Sequence, residues 1–240
     1  MKSEFGEAQF QFAILFELLN KKLWSKKIYI PTPAKENDEG FDAKLINKAS
    51  GKPLFLQFKV SQHITDARGK HFGKFGKSYF KFHTYPWENK EKNQHNVLRK
   101  LNEIFPCVFY VAPLFCSMED FQYFFEEKQL LWKSKFIMPK DLNEITDISE
   151  HEICYFENDK KVHMFSEERI VEEGSICFEE IEKLLRNTQK MTFSDFVMQL
   201  IEKLEINNKN IETLQKSCDY LFEYLNSAGV SLVWIFDFDK

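Results

Sequence analysis

The stretch "PLFLQFKVS", Pro53 to Ser61, decides the fold of this 240-residue chain, because it predicts a strand with two different faces. Side chains alternate between the faces of a β-strand, so one face is fully apolar and the other places Gln57 and Lys59 beside Phe55. The apolar face consists of Leu54, Leu56, Phe58 and Val60. Polar side chains in a buried strand are costly unless they are paired or bind a ligand, so the polar face requires an explanation.

The composition predicts a globular protein with a large apolar core. Hydrophobic residues make up 43% of the chain and aromatic residues 16%, including 26 Phe that we interpret mainly as core residues. The five cysteines have no CxxC spacing, which argues against a disulfide framework and against a structural zinc site. The N-terminal sequence differs from a secretory signal, and no apolar run reaches the roughly 20 residues that span a bilayer. We therefore expect a soluble, cytoplasmic protein without a membrane partner.

The net charge of −4 hides a basic segment in an otherwise acidic chain. Residues 59–100 contain ten Lys or Arg and three acidic residues, while the rest of the chain has a net charge of −11. Three glycines and four of the six histidines also fall in this segment. It is either a solvated, flexible loop or a mobile arm that contacts the phosphates of nucleic acid. The cations that would make such contacts are Arg68, Lys70, Lys74, Lys77 and Lys81.

Hydrophobic periodicity predicts a helix over residues 4–24, followed by three strands. The helix places Glu4, Glu7 and Gln11 on one polar stripe, because they are spaced three and four residues apart. The strands are predicted at residues 27–31, 41–47 and 53–60, with a turn signal near Ser50 between the last two.

A hairpin of the second and third strands would bring Asp42 to the polar face of the third strand. Depending on the register, Asp42 would lie opposite residue 57, 58 or 59. Asp42, Gln57 and Lys59 would then share one face, and Glu7 would lie on a helix packed nearby. We expect such a polar group to pair internally or to bind a ligand.

The second half of the chain predicts further elements but indicates less about chemistry. A helix is expected at about 88–104, a core strand at 107–112, and another helix after a Ser-x-x-Asp capping signal at Ser117. The sequences "EICYF" and "KVHMF" predict two strands joined by the turn "ENDKK". From Phe178 to about Asn226 three helical segments are expected, followed by the apolar strand "VSLVWIFDF".

This order of helix, strand and strand resembles the PD-(D/E)XK nuclease superfamily, in particular its Gln-x-Lys branch, which includes Mrr-type restriction endonucleases. The matching sequences are "GEAQ" (Gly6–Gln9), "DEGFD" (Asp38–Asp42) and "LQFKVS" (Leu56–Ser61), followed by the strands "SYFKF" and "PCVFYVAP", in about the first half of the chain. The resemblance implies an α/β fold with a restriction-endonuclease-like mixed central β-sheet flanked by helices. We expect a nuclease-like domain at residues 1–170 and a helical C-terminal region at residues 171–240, packed on that domain or continuing it.

The resemblance also implies an activity, a metal-dependent DNA endonuclease that acts in bacterial restriction or anti-phage defence. Asp42 would ligate Mg²⁺ or Mn²⁺, Gln57 would occupy the second acidic position, and the carbonyl of Phe58 would complete the inner sphere. Lys59 would orient or help deprotonate the attacking water, and Glu7 would hold a metal-bound water or a second ion. DNA would be the main partner, and a second copy of the chain or a defence-system protein would be a further one.

Other interpretations fit the same residues. Glu4 or Gln11 would serve in place of Glu7 as the helix ligand. Asp42 and Lys59 would also make a cross-strand ion pair, with Gln57 hydrogen-bonded to a loop. At the level of function, the alternatives are an inactive nuclease-fold protein that binds nucleic acid, and a regulatory module that binds a protein partner through the C-terminal helices.

Overall fold

A computed structural model shows two β-sheets with packed helices and describes residues 1–20, 28–29, 50–84, 94–147, 150–165, 169–203, 225 and 230–236. The helices are α1 (Glu7–Leu19), α2 (Phe72–Phe75), α3 (Gln94–Ile104), α4 (Met118–Glu126), α5 (Phe178–Asn187) and α6 (Phe193–Lys203), with a 3₁₀ helix at Pro139–Asp141. The strands are β1 (Ile28–Tyr29), β2 (Ser50–Phe58), β3 (Gln62–Ile64), β4 (Tyr79–Thr84), β5 (Val108–Pro113), β6 (Ser134–Ile137), β7 (His151–Tyr155), β8 (Val162–Phe165), β9 (Arg169–Val171), β10 (Ser175–Ile176), β11 (Met191–Thr192) and β12 (Ser231–Phe236).

The first sheet is mixed, and its strand β2 contains most of the stretch Pro53–Ser61. Its strand order is β1-β12-β2-β5-β6-β10, and β11 pairs with the start of β2. β2 and β5 are parallel, whereas β2 and β12 are antiparallel. Helices pack on this sheet through two large apolar clusters. The architecture therefore confirms the predicted α/β class with a mixed central sheet flanked by helices.

The two faces of β2 differ as its alternation predicts. Leu54 belongs to one buried cluster together with Phe10 of α1. Phe55 points the other way and packs on Phe196 of α6, with ring centroids 5.9 Å apart. Because side chains alternate along a strand, Gln57 lies on the same side as Phe55.

The predicted hairpin between residues 41–47 and 53–60 is wrong at Phe55 and Leu56. Both residues pair with β12 on one side and with β5 on the other. A strand has two hydrogen-bonding edges, so a third segment cannot pair at these positions. The strand β12 thus occupies, beside Phe55 and Leu56, the place that was predicted for residues 41–47. Asp42 itself lies outside the described residues.

The second sheet is antiparallel and has the strand order β3-β4-β7-β8-β9. It contains the predicted hairpin of β7 and β8, in which Tyr155 pairs with Val162 across the turn. Its inner face packs on the first sheet, since the ring of Phe82 in β4 lies 5.4 Å from that of Tyr110 in β5. The face of β2 that carries Gln57 is therefore an interior layer of the protein.

The C-terminal region contributes strands as well as helices. Two of its three predicted helical segments are α5 and α6, and the third lies outside the described residues except for Leu225, which is buried. The predicted closing strand is β12, which pairs with β1 and β2 in the first sheet. None of the helices in the described part of the chain is long and apolar enough to cross a membrane.

Candidate active site

Gln57 is a buried amide near the end of β2, and only its nitrogen has a hydrogen-bond partner among the described residues. The residue is only 2% exposed, beside Tyr110 of β5 in the parallel pair. Its Nε2 donates to the carbonyl oxygen of Phe58 at 3.2 Å, and this acceptor belongs to β2 itself rather than to a loop. Its Oε1 has no hydrogen-bond partner among the residues that the structure describes. An unpaired buried oxygen is costly, and such exceptions in native proteins require an explanation.

Lys59 follows directly after β2 and is held at both its backbone and its side chain. Its backbone N–H donates to the carbonyl of Val111 at 2.9 Å, which continues the pairing with β5. Its Nζ donates to Oε1 of Gln94 at 2.9 Å. Gln94 is the first residue of α3 and is not among the site residues predicted from sequence. The amine is therefore partly buried and fixed between the end of β2 and the start of α3.

Glu7 is the first residue of α1, and its charge interacts with that of Lys59. The helix begins after Gly6, whose backbone N–H donates to Gln9 Oε1 at 2.8 Å. The residue is exposed, but the surrounding protein still desolvates the carboxyl enough to raise the pKa of Glu7, and the positive charge of Lys59 opposes this rise. Burial lowers the pKa of Lys59, and Glu7 opposes that shift in turn. Both groups thus lie where their charged forms are disfavoured, as is common at functional sites.

The two other helix candidates have different surroundings. Glu4 precedes α1, and its Oε2 accepts a hydrogen bond from the backbone N–H of Met118 at 2.8 Å. It therefore satisfies a free N–H group at the start of α4. Gln11 is half-buried one turn further along α1. Glu7 is the helix residue whose negative charge interacts with the positive charge of Lys59.

The oxygen atoms near the end of β2 suit a hard divalent cation. The Oε1 of Gln57, which has no partner among the described residues, and the carbonyl of Phe58 are both ligand types that Mg²⁺ accepts. The carboxylate of Glu7 is a third such ligand type, but it lies on α1, which packs on the Leu54 face of β2. Within the described ranges, no group of three or more His, Cys, Asp and Glu side chains could hold a metal ion. The predicted carboxylate ligand Asp42 is not among the described residues, so the described part supplies an incomplete ligand set.

A buried polar network behind Gln57 was missed by sequence reasoning. Tyr110 of β5 lies opposite Gln57 in the parallel pairing of β2 and β5. Its hydroxyl oxygen lies 2.9 Å from Nδ1 of His95. Nε2 of His95 donates to the carbonyl of Asn143 at 2.8 Å. Both ring nitrogens of His95 therefore have hydrogen-bond partners that suit a neutral imidazole. Burial lowers the pKa of His95 to about 4, which also favours the neutral form. No local signal identifies the network, because its members come from α3, β5 and a distant loop.

The five predicted DNA-contacting cations lie in two environments. Lys81 is buried under the Gly-rich segment, where its Nζ donates to Glu152, and only 12% of its side chain is exposed. The four others are on the solvent side of the segment: Arg68, Lys70, Lys74 and Lys77. The exposed cations are therefore those available to a polyanion.

Comparisons of the chain with protein-family models, with curated proteins and with solved structures give no match.

Proposed function

We propose that this protein is a divalent-metal-dependent nuclease that hydrolyses phosphodiester bonds in DNA. The observation that supports this proposal most directly is the buried Oε1 of Gln57, which is unpaired among the described residues and lies two residues before a partly buried lysine amine. A metal ion at this oxygen would satisfy it, and the sequence pattern of the PD-(D/E)XK superfamily has a ligand at this position. The same pattern has its lysine at Lys59.

In the proposed reaction the chain's own groups bind and orient. Mg²⁺ or Mn²⁺, when bound, would stabilise the charge that builds on the scissile phosphate and lower the pKa of a water. Gln57 and the Phe58 carbonyl would hold the ion, and Asp42 would supply the negative charge that a glutamine lacks. Lys59, fixed by Gln94, would place a positive charge beside the attacking water and the phosphate. Glu7 would bind a metal-bound water or a second ion.

The setting of this activity is a further part of the proposal. The sequence resemblance favours bacterial restriction or anti-phage defence, with a second copy of the chain or a defence-system protein as a partner. The exposed cations of residues 65–78 would contact the DNA backbone.

A plasmid cleavage assay tests the proposal. Purified protein is incubated with supercoiled plasmid in Mg²⁺, in Mn²⁺ and in EDTA, beside Lys59→Met, Asp42→Asn and the control Lys100→Met. Lys59→Met keeps most of the aliphatic side chain and removes the amine, and we expect it to reduce cleavage by at least about 100-fold. Lys100 is exposed on α3, so its variant should cut like the wild type.

Two results would overturn the proposal. One is a folded wild-type protein that leaves plasmid intact in both metals. The other is cleavage that survives in Lys59→Met and Asp42→Asn, because the activity would then come from different residues.

A further inference from the structure

The Gly-rich basic segment, residues 65–78, is folded back on the outer face of the second sheet. It connects β3 to β4, turns at Asp66 and forms the single helical turn α2. Two glycines make this path possible. A Cβ at Gly69 would lie 2.2 Å from Cγ2 of Ile64, and Gly76 ends α2 with φ +63°. The glycines that predicted a flexible loop therefore serve a compact one.

The underside of the segment is apolar and packs into a small cluster of its own. The ring of Phe75 lies 4.9 Å from Tyr79, 5.1 Å from Phe156 and 4.7 Å from His163. The ring of His71 stacks on Phe165 at 3.6 Å with an interplanar angle of 11°. This cluster is separate from the two large clusters of the sheets, so the segment has its own support.

Glu152 of β7 is the polar anchor beneath the segment. His71 lies 2.6 Å from its Oε2, Lys81 donates to its Oε1, and Nζ of Lys70 lies 3.6 Å from Oε2. The side chains of Glu152, His71 and Lys81 are 9–12% exposed. Burial alone would raise the pKa of Glu152, but the hydrogen bonds from Lys81 and His71 and the charges of Lys81 and Lys70 lower it to about 2. One buried carboxylate therefore joins two strands to the segment above them.

The solvent side of the segment presents four cations in defined positions. Side-chain exposure is 91% for Arg68, 70% for Lys70 and 53% for Lys77. Arg68 is oriented by Asp66, and Lys77 lies 4.1 Å from the Phe156 ring centroid. Lys74 lies 5.0 Å from the ring centroid of Phe165, the ring that stacks on His71. Lys74 and Lys77 thus contact the aromatic cluster that Glu152 and His71 hold in place, Lys70 lies beside Glu152 itself, and Arg68 is paired with Asp66.

We propose that Glu152 anchors a preformed phosphate-binding surface, and that the partner of this surface is the phosphodiester backbone of duplex DNA. The inference rests on the proposed function for the identity of the partner. A segment that is already ordered loses little conformational entropy when the complex forms, whereas a flexible arm loses more, and this loss weakens binding. The anchor itself does not contact phosphate, because it lies under the segment.

The variant Glu152→Gln distinguishes this role from simple electrostatics. Removing one negative charge below four cations would, by Coulomb attraction alone, strengthen binding to DNA. Loss of the anchor would release the segment and weaken binding. Glu157→Gln is the matched control, because it removes the same charge from the exposed turn of the β7–β8 hairpin. The two explanations therefore predict opposite signs for Glu152→Gln.

The assay is fluorescence anisotropy of a labelled DNA duplex at several salt concentrations, without divalent metal. We expect Glu152→Gln to bind at least about fivefold more weakly and to lose about one to two units of the slope of log affinity against log salt, since each lost phosphate contact lowers it by about 0.9. Glu157→Gln should bind as tightly as the wild type or slightly more tightly. Amide hydrogen exchange gives a second readout, because the N–H groups of Phe72 and Gly76 should exchange faster in Glu152→Gln.

His71→Phe keeps a ring on Phe165 but removes the contact with Glu152. If Glu152→Gln does not fold, the DNA affinity of His71→Phe is compared with that of the wild type instead. Equal or tighter DNA binding by the anchor variants would overturn the inference, even if the wild type cuts plasmid. Weaker binding by a protein that never cuts would support the anchor and contradict the nuclease. A wild type that neither binds nor cuts DNA would contradict both.

Discussion

Replacing Gln57 by Met should stabilise the metal-free protein and abolish its response to Mg²⁺. Gln57 is buried at the end of β2, and its Oε1 has no partner within the described part of the chain. Met is similar in length and has no oxygen to desolvate, and its flexible side chain adapts to the same space. The substitution removes a cost from the folded state and a ligand from the proposed metal site at the same time.

The expected gain is small and has a definite sign. An unsatisfied buried polar group costs about 1–3 kcal/mol, and replacing it with an apolar group recovers this amount. The variant loses the bond from Nε2 to the Phe58 carbonyl, which at 3.2 Å is long and contributes about 1 kcal/mol or less. The net increase in the free energy of unfolding is therefore about 1 kcal/mol. For a chain of this length that raises the melting temperature by about 2–4 °C.

The assay is thermal and urea unfolding in EDTA and again in Mg²⁺. An ion that binds only the folded state stabilises it by about 2.7 kcal/mol at 100 times its dissociation constant. We expect this increase in the wild type and not in Gln57→Met. Gln122→Met is the control, because Gln122 is exposed on α4 and its replacement should change neither measurement.

Two outcomes would refute the reasoning about Gln57. A lower melting temperature of Gln57→Met in EDTA would mean that the amide is satisfied in the folded protein. Full Mg²⁺ stabilisation of the variant would mean that the ion binds without this oxygen.

Three further predictions concern the scaffold around the site. Burial lowers the pKa of His95 to about 4, so between pH 6.5 and 4 the unfolded chain binds more protons than the folded protein, and stability should fall by up to about 3 kcal/mol as the pH drops through this range. Urea unfolding at pH 7, 5 and 4 checks this, and an equal decline in His95→Gln would contradict it. Gly76→Ala should destabilise the protein by about 1–2 kcal/mol, because Gly76 has a φ of +63°. Gly73→Ala should stabilise it by about 0.5–1 kcal/mol, because Gly73 lies inside α2 with open space for a Cβ. Equal melting temperatures for the two variants would refute this pair of predictions. Lys52→Met should lower the free energy of unfolding by about 1 kcal/mol, since Nζ donates to the last carbonyls of α5, and an unchanged urea midpoint would contradict that role.

Local patterns predicted the elements and their faces well, because the physics that produces them acts over a few residues. The alternation of β2 correctly separated Leu54 from Phe55 and Gln57. The capping signal at Ser117 is confirmed by the N–H of Asp120, which donates to Ser117 Oγ at 3.0 Å. The β7–β8 hairpin also follows from two short apolar runs and a polar turn.

Predictions that required a choice of partner were less successful. The strand next to Phe55 and Leu56 is β12, from the end of the chain, although residues 41–47 are much closer in sequence. Among the described residues the Lys59 amine donates to Gln94, which lies 35 residues further along the chain and was not a predicted site residue. Both choices depend on how the two sheets and α3 pack together, and short-range periodicity has no information about that packing.

The sequence by itself determined that β2 has an apolar and a polar face, that Gln57 and Lys59 share the polar one, and that the positive charge is concentrated in residues 59–100. These properties follow from the order of side chains along a strand and from composition. Only the tertiary structure decided that the Gln57 oxygen finds no partner among the described residues and that Glu152 contacts His71 of the basic segment, 81 residues away in sequence. Burial and charge pairing are properties of the assembled core, because they depend on which distant groups exclude water from a side chain.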